Sequence, residues 1–411
     1  MRKLTVRLHR TAGDAVAVGT LAEQDQRIYF EYDAAFLGSG IELSPFKLRT
    51  QPGLIAHADH AFGPLFGVFD DSLPDGWGLL LMDRHFRRRG IELKAISPLD
   101  RLAYLGTQTM GALTYHPPSH DEPGGEPQPL DLDALGRNAE AVVQGDATEV
   151  LPQLMRAGGS PGGARPKVLV GIQGDRIVSG ENVLPDGYEH WIVKFSARAD
   201  GHEAGAVEYA YSLMARAAGI DMPPTRLFEV GRGRATRHFF GVRRFDRSAA
   251  NRRIHMHTFA NLIHANFRIP STDYADVFKV TQALARNHAD LLRAFRLMLF
   301  NVATHNRDDH AKNFAFTLDD QTGEWSLAPA YDLTYSPGPG GEHSSTVLGE
   351  GRRPLRVHCL QLADQFGLKP RETSPIIEQV NAAVSRWPAC AEEARCPKKV
   401  AATIGSCFML V

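Results

Sequence analysis

Cysteine is scarce in this 411-residue chain: Cys359, Cys390, Cys396 and Cys407 all come late, without the paired short spacings of a zinc site. That argues against a disulfide framework, and a reduced intracellular protein is the expectation. No segment reaches the roughly eighteen apolar residues that a membrane span needs, and the opening MRKLTVRLHRTAGDAVAVG has basic residues but no apolar run long enough for a secretory signal. A soluble, cytoplasmic protein without a membrane partner is expected. An excess of one charge is missing too: 46 Lys and Arg stand against 47 Asp and Glu, a formal net charge of −1 and a pI of about 7.0. No global pull toward nucleic acid is encoded, so any DNA contact must be local or borrowed from a partner. Neither a GxGxxG nor a Walker A pattern occurs.

What is present is an ordinary globular balance, 43% apolar and 23% charged, with length for two or three packed units. Leu4, Val6 and Leu8 alternate with polar residues, and strand-like runs at 15–21 and 28–32 follow, which predicts a β meander. Asp71-Ser72-Leu73-Pro74-Asp75-Gly76-Trp77-Gly78 is turn-rich and leads into a predicted helix over 79–89, expected to dock on that meander. Residues 116–130 are dense in Pro, Gly and acids and mark a boundary. The expected division is 1–116, a linker at 117–131, then 132–247 and 248–411. Within these, helices are predicted over 132–143, 204–218 and 291–302, and strands over 168–172, 190–195 and 239–245. A short hairpin is predicted from 313–317 and 325–328. Strands with a helix, followed by helices around a polar loop, predict an α+β, two-lobed protein-kinase-like fold with a small β-rich N-terminal subdomain and a mostly helical C-terminal lobe.

The chemistry concentrates in Asn306-Arg307-Asp308-Asp309-His310-Ala311-Lys312-Asn313 and in Tyr331-Asp332-Leu333. An acid five positions before an amide is the spacing of kinase catalytic loops, in which the acid faces the acceptor hydroxyl and the amide helps hold a divalent ion. Asp308 is the candidate catalytic acid, and Asn313 and Asp332 are candidate Mg²⁺ ligands, since this ion takes few protein oxygens besides phosphates and water. His310 and Lys312 are helpers between them. Two other readings stay open at this point: a solvated turn after the helix, and a metallohydrolase centre of His305, Asp308, Asp309 and His310.

Lys194 lies inside the apolar run Trp191-Ile192-Val193-Lys194-Phe195, where an unpaired ammonium is costly and an anionic partner is expected. That partner is either phosphate or Glu208 on the next helix; an edge-strand lysine pointing to water, with Glu208 facing solvent, is the alternative. The glycines of 158–167 can bring backbone N–H groups close to phosphate oxygens, and Ser160 offers a hydroxyl for modification. Phe245 and Asp246 end a strand where a hinge would meet adenine and ribose.

Together these residues resemble the HipA family, the kinase toxins of bacterial toxin-antitoxin pairs. The likeness runs from Leu73-Pro74-Asp75-Gly76-Trp77-Gly78, Leu105-Gly106 and Met110-Gly111-Ala112-Leu113, through the Ser160 to Lys167 loop, to Asp308-x-His310-Ala311-Lys312-Asn313 and Pro329-Ala330-Tyr331-Asp332-Leu333. The resemblance implies a Ser/Thr protein kinase using ATP and Mg²⁺, with Asp308 catalytic and Asn313 and Asp332 on the metal. It also implies Lys194, Gly162, Gly163, Ala164, His310 and Lys312 around the phosphates, and Phe245 and Asp246 at the hinge. Ser160 matches the serine that family members autophosphorylate, which ejects the loop and inactivates the kinase. The implied targets are aminoacyl-tRNA synthetases, with arrested translation as the phenotype. The implied partner is a small, HipB-like helix-turn-helix antitoxin that carries the operator DNA contact. Arg243 and Asp309 depart from the residues of some members. Other classes implied by the same machinery are a small-molecule phosphotransferase and a catalytically weak co-repressor.

Overall fold

The structure, a computed structural model, describes residues 2–11, 13–119, 126–145, 154, 162–180, 182–196, 201–231, 233 and 236–411. The chain opens with β1 (Arg2–Thr11), β2 (Asp14–Gln24) and β3 (Arg27–Tyr32), an antiparallel meander extended by β4 (Leu54–Ala56). The alternation of the first strand puts Leu4, Val6 and Leu8 on the buried face. β5 (Leu113–His116) returns to the free edge of β1, pairing Leu113 with Leu8 and Tyr115 with Val6. The helix Pro98–Leu105 before it starts with a capping box between Ser97 and Asp100.

A second five-stranded sheet is built from β6 (Lys167–Gln173), β7 (Arg176–Ser179), β8 (Glu189–Lys194), β9 (Thr225–Val230) and β10 (Arg237–Arg243), in the order β7-β6-β8-β10-β9. Placing β8 at the centre makes its last residue, Lys194, an interior position rather than an edge one. The helices Leu132–Gln144 and Ala204–Ala217 accompany this sheet. The second follows the spacing of Val207, Ala210, Tyr211 and Met214, all buried.

The remainder is mostly helical, around β11 (His255–Thr258), β12 (Thr272–Asp273), β13 (Ala315–Leu318), β14 (Trp325–Leu327) and β15 (Ser345–Thr346). Its central helix, His288–Ala303, is capped by Asn287, which accepts the Asp290 backbone N–H at 2.7 Å. It is buried over most of its length and ends at Thr304, just before the Asp308 loop. Among the described residues, no helix is long and apolar enough to cross a membrane.

Two features of packing position the site. The core of the N-terminal sheet is continuous with that of the helical lobe, so Val6, Phe30 and Phe69 belong to one buried cluster with Phe259, Phe300 and Trp387. The join is close: a Cβ on Gly67 would lie 2.0 Å from the carbonyl oxygen of Asn261, so only glycine permits this backbone approach. The second feature corrects an expectation. The helix Gly76–Arg88 does not dock on the meander. Trp77 and Leu81 enter the core of the second sheet beside Leu132, Val168 and Val193, while Met82 and Phe86 pack with Tyr104 and Leu105. Its two apolar stripes serve two different neighbours.

Candidate active site

Lys194 stands in register with Lys167 on one side and Phe240 on the other. Its Nζ lies 2.5 Å from Oε1 of Glu208, is also hydrogen-bonded to Oδ1 of Asp332, and sits 5.6 Å from the Phe240 ring centre. Burial disfavours the ammonium, but the Asp332 and Glu208 carboxylates outweigh it and raise the Lys194 pKa above the ordinary lysine value. Lys167, equally enclosed, donates to the Gly162 carbonyl at 2.5 Å. Burial pulls its pKa down, and Lys194 adds to the fall while Asp332 and Asp75 oppose it.

Asp332 takes a left-handed backbone conformation, φ 56°, which turns its side chain toward the two lysines. Burial works to raise its pKa, but Lys194 and then Lys167 hold the carboxyl well below the usual range. Its neighbour Tyr331 donates its hydroxyl to the Lys312 carbonyl at 2.6 Å and stacks on Phe245, with ring centres 5.6 Å apart. Phe245 is thus a half-buried aromatic face beside the carboxylate.

The adjacent acids of the catalytic-loop sequence have opposite surroundings. Asp309 is sealed in: its oxygens accept from the Tyr274 hydroxyl (2.8 Å), the backbone N–H groups of Ser344 (2.9 Å) and Ser345 (3.2 Å), and the His343 ring (2.8 Å). Asp308 is the one that opens to solvent, with 59% of its side-chain surface accessible and the His310 Nε2 at 4.0 Å. The protein mass around it pushes its pKa up; His310 opposes the rise, Asp332 adds to it and Arg165 opposes it. Asn313 donates its amide N–H to the Asp308 carbonyl at 2.6 Å, which leaves its amide oxygen for another partner. The metallohydrolase reading therefore loses Asp309 as a ligand, and among the described residues no group of three His, Cys, Asp or Glu side chains gathers as a metal set.

The structure thus brings Lys194, Asp332, Asp308 and Asn313 together, with Gly162 and Gly163 against Lys167, Ala164 against Gly76, His310 beside Asp308 and Phe245 beside Tyr331. Ser160 lies outside the described residues. One expectation is corrected. Asp246 is 1% exposed and both its oxygens are taken, by Arg244 (2.8 and 2.7 Å), Arg247 (2.8 Å) and the Gly111 backbone N–H (2.7 Å), so its carboxylate has nothing left for a ribose. Lys312 points toward the N-terminal unit, 3.6 Å from Asp75 and 3.7 Å from Asp70, with its ammonium 4.6 Å from the Phe267 ring centre. Arg243 is exposed and pairs with Glu189 at 2.7 Å.

Sequence reasoning left Lys167, Arg165 and Asp75 out of the site. The signal for Lys167 was its place at the start of an apolar strand, the same signal that exposed Lys194. Arg165 lies 3.9 Å from Glu208 and within the field of both Asp308 and Asp332. Chemically, two buried lysines are set against the Asp332 and Glu208 carboxylates, with the accessible Asp308 within the field of Asp332. The donor set fits a magnesium nucleotide: Asp332 and Asn313 offer hard oxygen ligands, too few to hold the ion without phosphates and water, and Lys194 and Lys167 offer charge for those phosphates.

The HipA N-terminal domain model matches residues 11–116, and the HipA-like C-terminal domain model matches residues 159–387. Y4mE of Sinorhizobium fredii, whose name assigns it kinase activity by inference, is 29% identical over 283 residues, covering 62% of this chain and 63% of that protein. The chain thus spans less than two thirds of this relative's length. A chain of the solved Shewanella oneidensis MR-1 complex of HipA, HipB and operator DNA has a similar fold, with a TM-score of 0.69 over 98% of this chain and 94% of the other, at 17% identity. With the C-terminal domain model alone spanning more than half of the sequence, the chain belongs to the HipA family.

Proposed function

We propose that the protein is an ATP- and Mg²⁺-dependent serine/threonine protein kinase that acts as the toxin of a toxin-antitoxin pair. The observation that supports this most is the Lys194 ammonium held between Glu208 and Asp332, with the accessible acid Asp308 within the field of Asp332. A bound magnesium nucleotide would supply the transferable phosphoryl group. The chain's own part is positioning and charge compensation. Lys194 and Lys167 neutralise phosphate charge, Asn313 and Asp332 supply oxygen ligands, and Phe245 with Tyr331 offers an aromatic face for the base. Asp308, with its pKa raised, accepts the proton of a serine or threonine hydroxyl.

On the same reading Ser160 is modified by the protein itself, and the target is a protein of the translation apparatus such as an aminoacyl-tRNA synthetase. The Shewanella complex holds HipB and operator DNA. For this near-neutral chain we assign the DNA contact mainly to a comparable helix-turn-helix antitoxin.

The test is brief expression of wild type and Asp308→Ala followed by phosphoproteomics, together with calorimetric titration of the purified protein with ATP and Mg²⁺. A serine or threonine phosphorylated only with wild type names the substrate. Absence of nucleotide binding overturns the reading, and turnover confined to small hydroxyl compounds moves it to a small-molecule phosphotransferase.

A further inference from the structure

Among the described residues, Asp75, Gly76 and Trp77 of the N-terminal unit meet the glycine loop at Gly163, Ala164 and Lys167. Asp75 is the N-cap residue of the helix Gly76–Arg88, yet its side chain makes no capping hydrogen bond to that helix. Its Oδ1 accepts the backbone N–H of Gly163 instead. The carbonyl of the same Gly163 accepts the Trp77 backbone N–H at 3.1 Å, so both backbone groups of one glycine are held from across the interface. The Trp77 indole N–H donates to the Lys167 carbonyl at 3.0 Å, fixing the far end of the loop. Between them Gly76 has φ +43°, and a Cβ there would lie 2.6 Å from the Ala164 Cα and 2.7 Å from the Gly163 carbonyl oxygen. Only glycine lets the two backbones come this close. The remaining Asp75 oxygen, Oδ2, lies 3.6 Å from Lys312, one residue before Asn313. One side chain, 15% exposed, therefore reaches both the glycine loop and the catalytic loop from a third part of the chain.

From this geometry we infer that Asp75 is a positioning residue of the active site, whose Oδ1 holds the glycine loop in place by accepting the Gly163 N–H. The inference rests on the proposed nucleotide site for its effect on turnover, but the anchoring itself does not. A carboxylate accepting a backbone N–H is a strong, directional bond. Losing it frees one end of the loop while Trp77 still seats the helix in the core of the second sheet.

The experiment compares full-length wild type, Asp75→Ala and Asp75→Asn. Asn keeps an acceptor oxygen but drops the charge toward Lys312. Amide hydrogen exchange of the segment 162–167 is followed without nucleotide, and KM for ATP and kcat are measured separately. Asp75→Ala should exchange on the order of tenfold faster in this segment and raise KM about tenfold with kcat within about twofold, on the usual energy of a charge-assisted hydrogen bond. Asp75→Asn should restore both exchange protection and KM. Wild-type exchange in Asp75→Ala, a loss confined to melting temperature with KM unchanged, or an Asp75→Asn variant as impaired as Ala would each overturn the inference. Should the protein prove inert toward ATP, the exchange comparison still decides the anchoring, so failure of the proposed function is told apart from failure of this one.

Discussion

Lys167 and Lys194 face each other in register across β6 and β8, two buried lysines on one face of the sheet. Like charges so placed repel. The chain answers with Asp332 and Glu208 on Lys194, and with the Gly162 carbonyl on Lys167. An anionic ligand beside these lysines would relieve the repulsion further.

Removing the cation leaves the acids exposed to each other. Glu208 keeps only 3% of its side-chain surface in contact with water, so Lys194→Met strands it. A loss of about 3–5 kcal/mol in chemical denaturation is expected for such a broken pair, partly recovered when Glu208→Gln is added. Equal stability of the single variant and wild type would count against the ion pair as a structural element.

The two key carboxylates should respond to pH in opposite senses. Asp332 is held below its unfolded value, so the stability it contributes is present above about pH 4 and fades as pH falls toward its lowered folded pKa. Asp308 is shifted upward, so its ionised form weighs against the fold above its folded pKa. Asp308→Asn should therefore melt at or above the wild-type temperature at pH 7 while losing about 10²–10⁴ of phosphoryl-transfer rate. The acid limb of the wild-type kcat profile should lie above the ordinary carboxylate range. Melting curves and kcat between pH 4 and 8 measure both.

Phe245 and Asp246 are neighbours with different expected phenotypes. Truncating the half-buried Phe245 should raise KM for ATP by about 3- to 10-fold, the usual weight of an aromatic contact, with little effect on folding. Asp246→Asn instead unbalances Arg244 and Arg247 in the interior, and about 3–5 kcal/mol of stability should be lost. Its KM, measured on the folded fraction, should stay near wild type. A selective KM effect at Asp246 would restore it as a nucleotide contact.

Ser160 gains phosphate when the protein is incubated with ATP and Mg²⁺, if the proposed activity is right. Intact mass of wild type should rise by one phosphate, and Ser160→Ala should not. Unmodified wild type that still phosphorylates another protein would discard self-modification.

The parts of the fold that sequence exposed were those with one periodic signal and one neighbour. β1 alternates onto a single core, and His288–Ala303 is apolar almost all round because it is enclosed almost all round. The helix Gly76–Arg88 defeated that reading because two separate stripes share its surface, and periodicity does not say which core each enters. At the site, Lys194 stood out because charge inside an apolar strand demands a partner. Lys167 carried the same charge but sat where a loop ends, so its burial was hidden until β6 paired with β8. Asp246 looked like Asp308 in one dimension, an acid after a structured segment. Only the arrival of Arg244, Arg247 and the Gly111 backbone from elsewhere distinguishes a structural carboxylate from an available one.

The shared core of the first sheet and the last helices has a consequence for dissection. Cleaving the chain in the proline-rich stretch near residue 120 would divide this one buried cluster, leaving Val6, Phe30 and Phe69 on one piece and Phe259, Phe300 and Trp387 on the other, and would break the Gly67–Asn261 join. Each piece would then expose the part of the cluster that faced the other, so the halves should be less soluble when made apart than when made together.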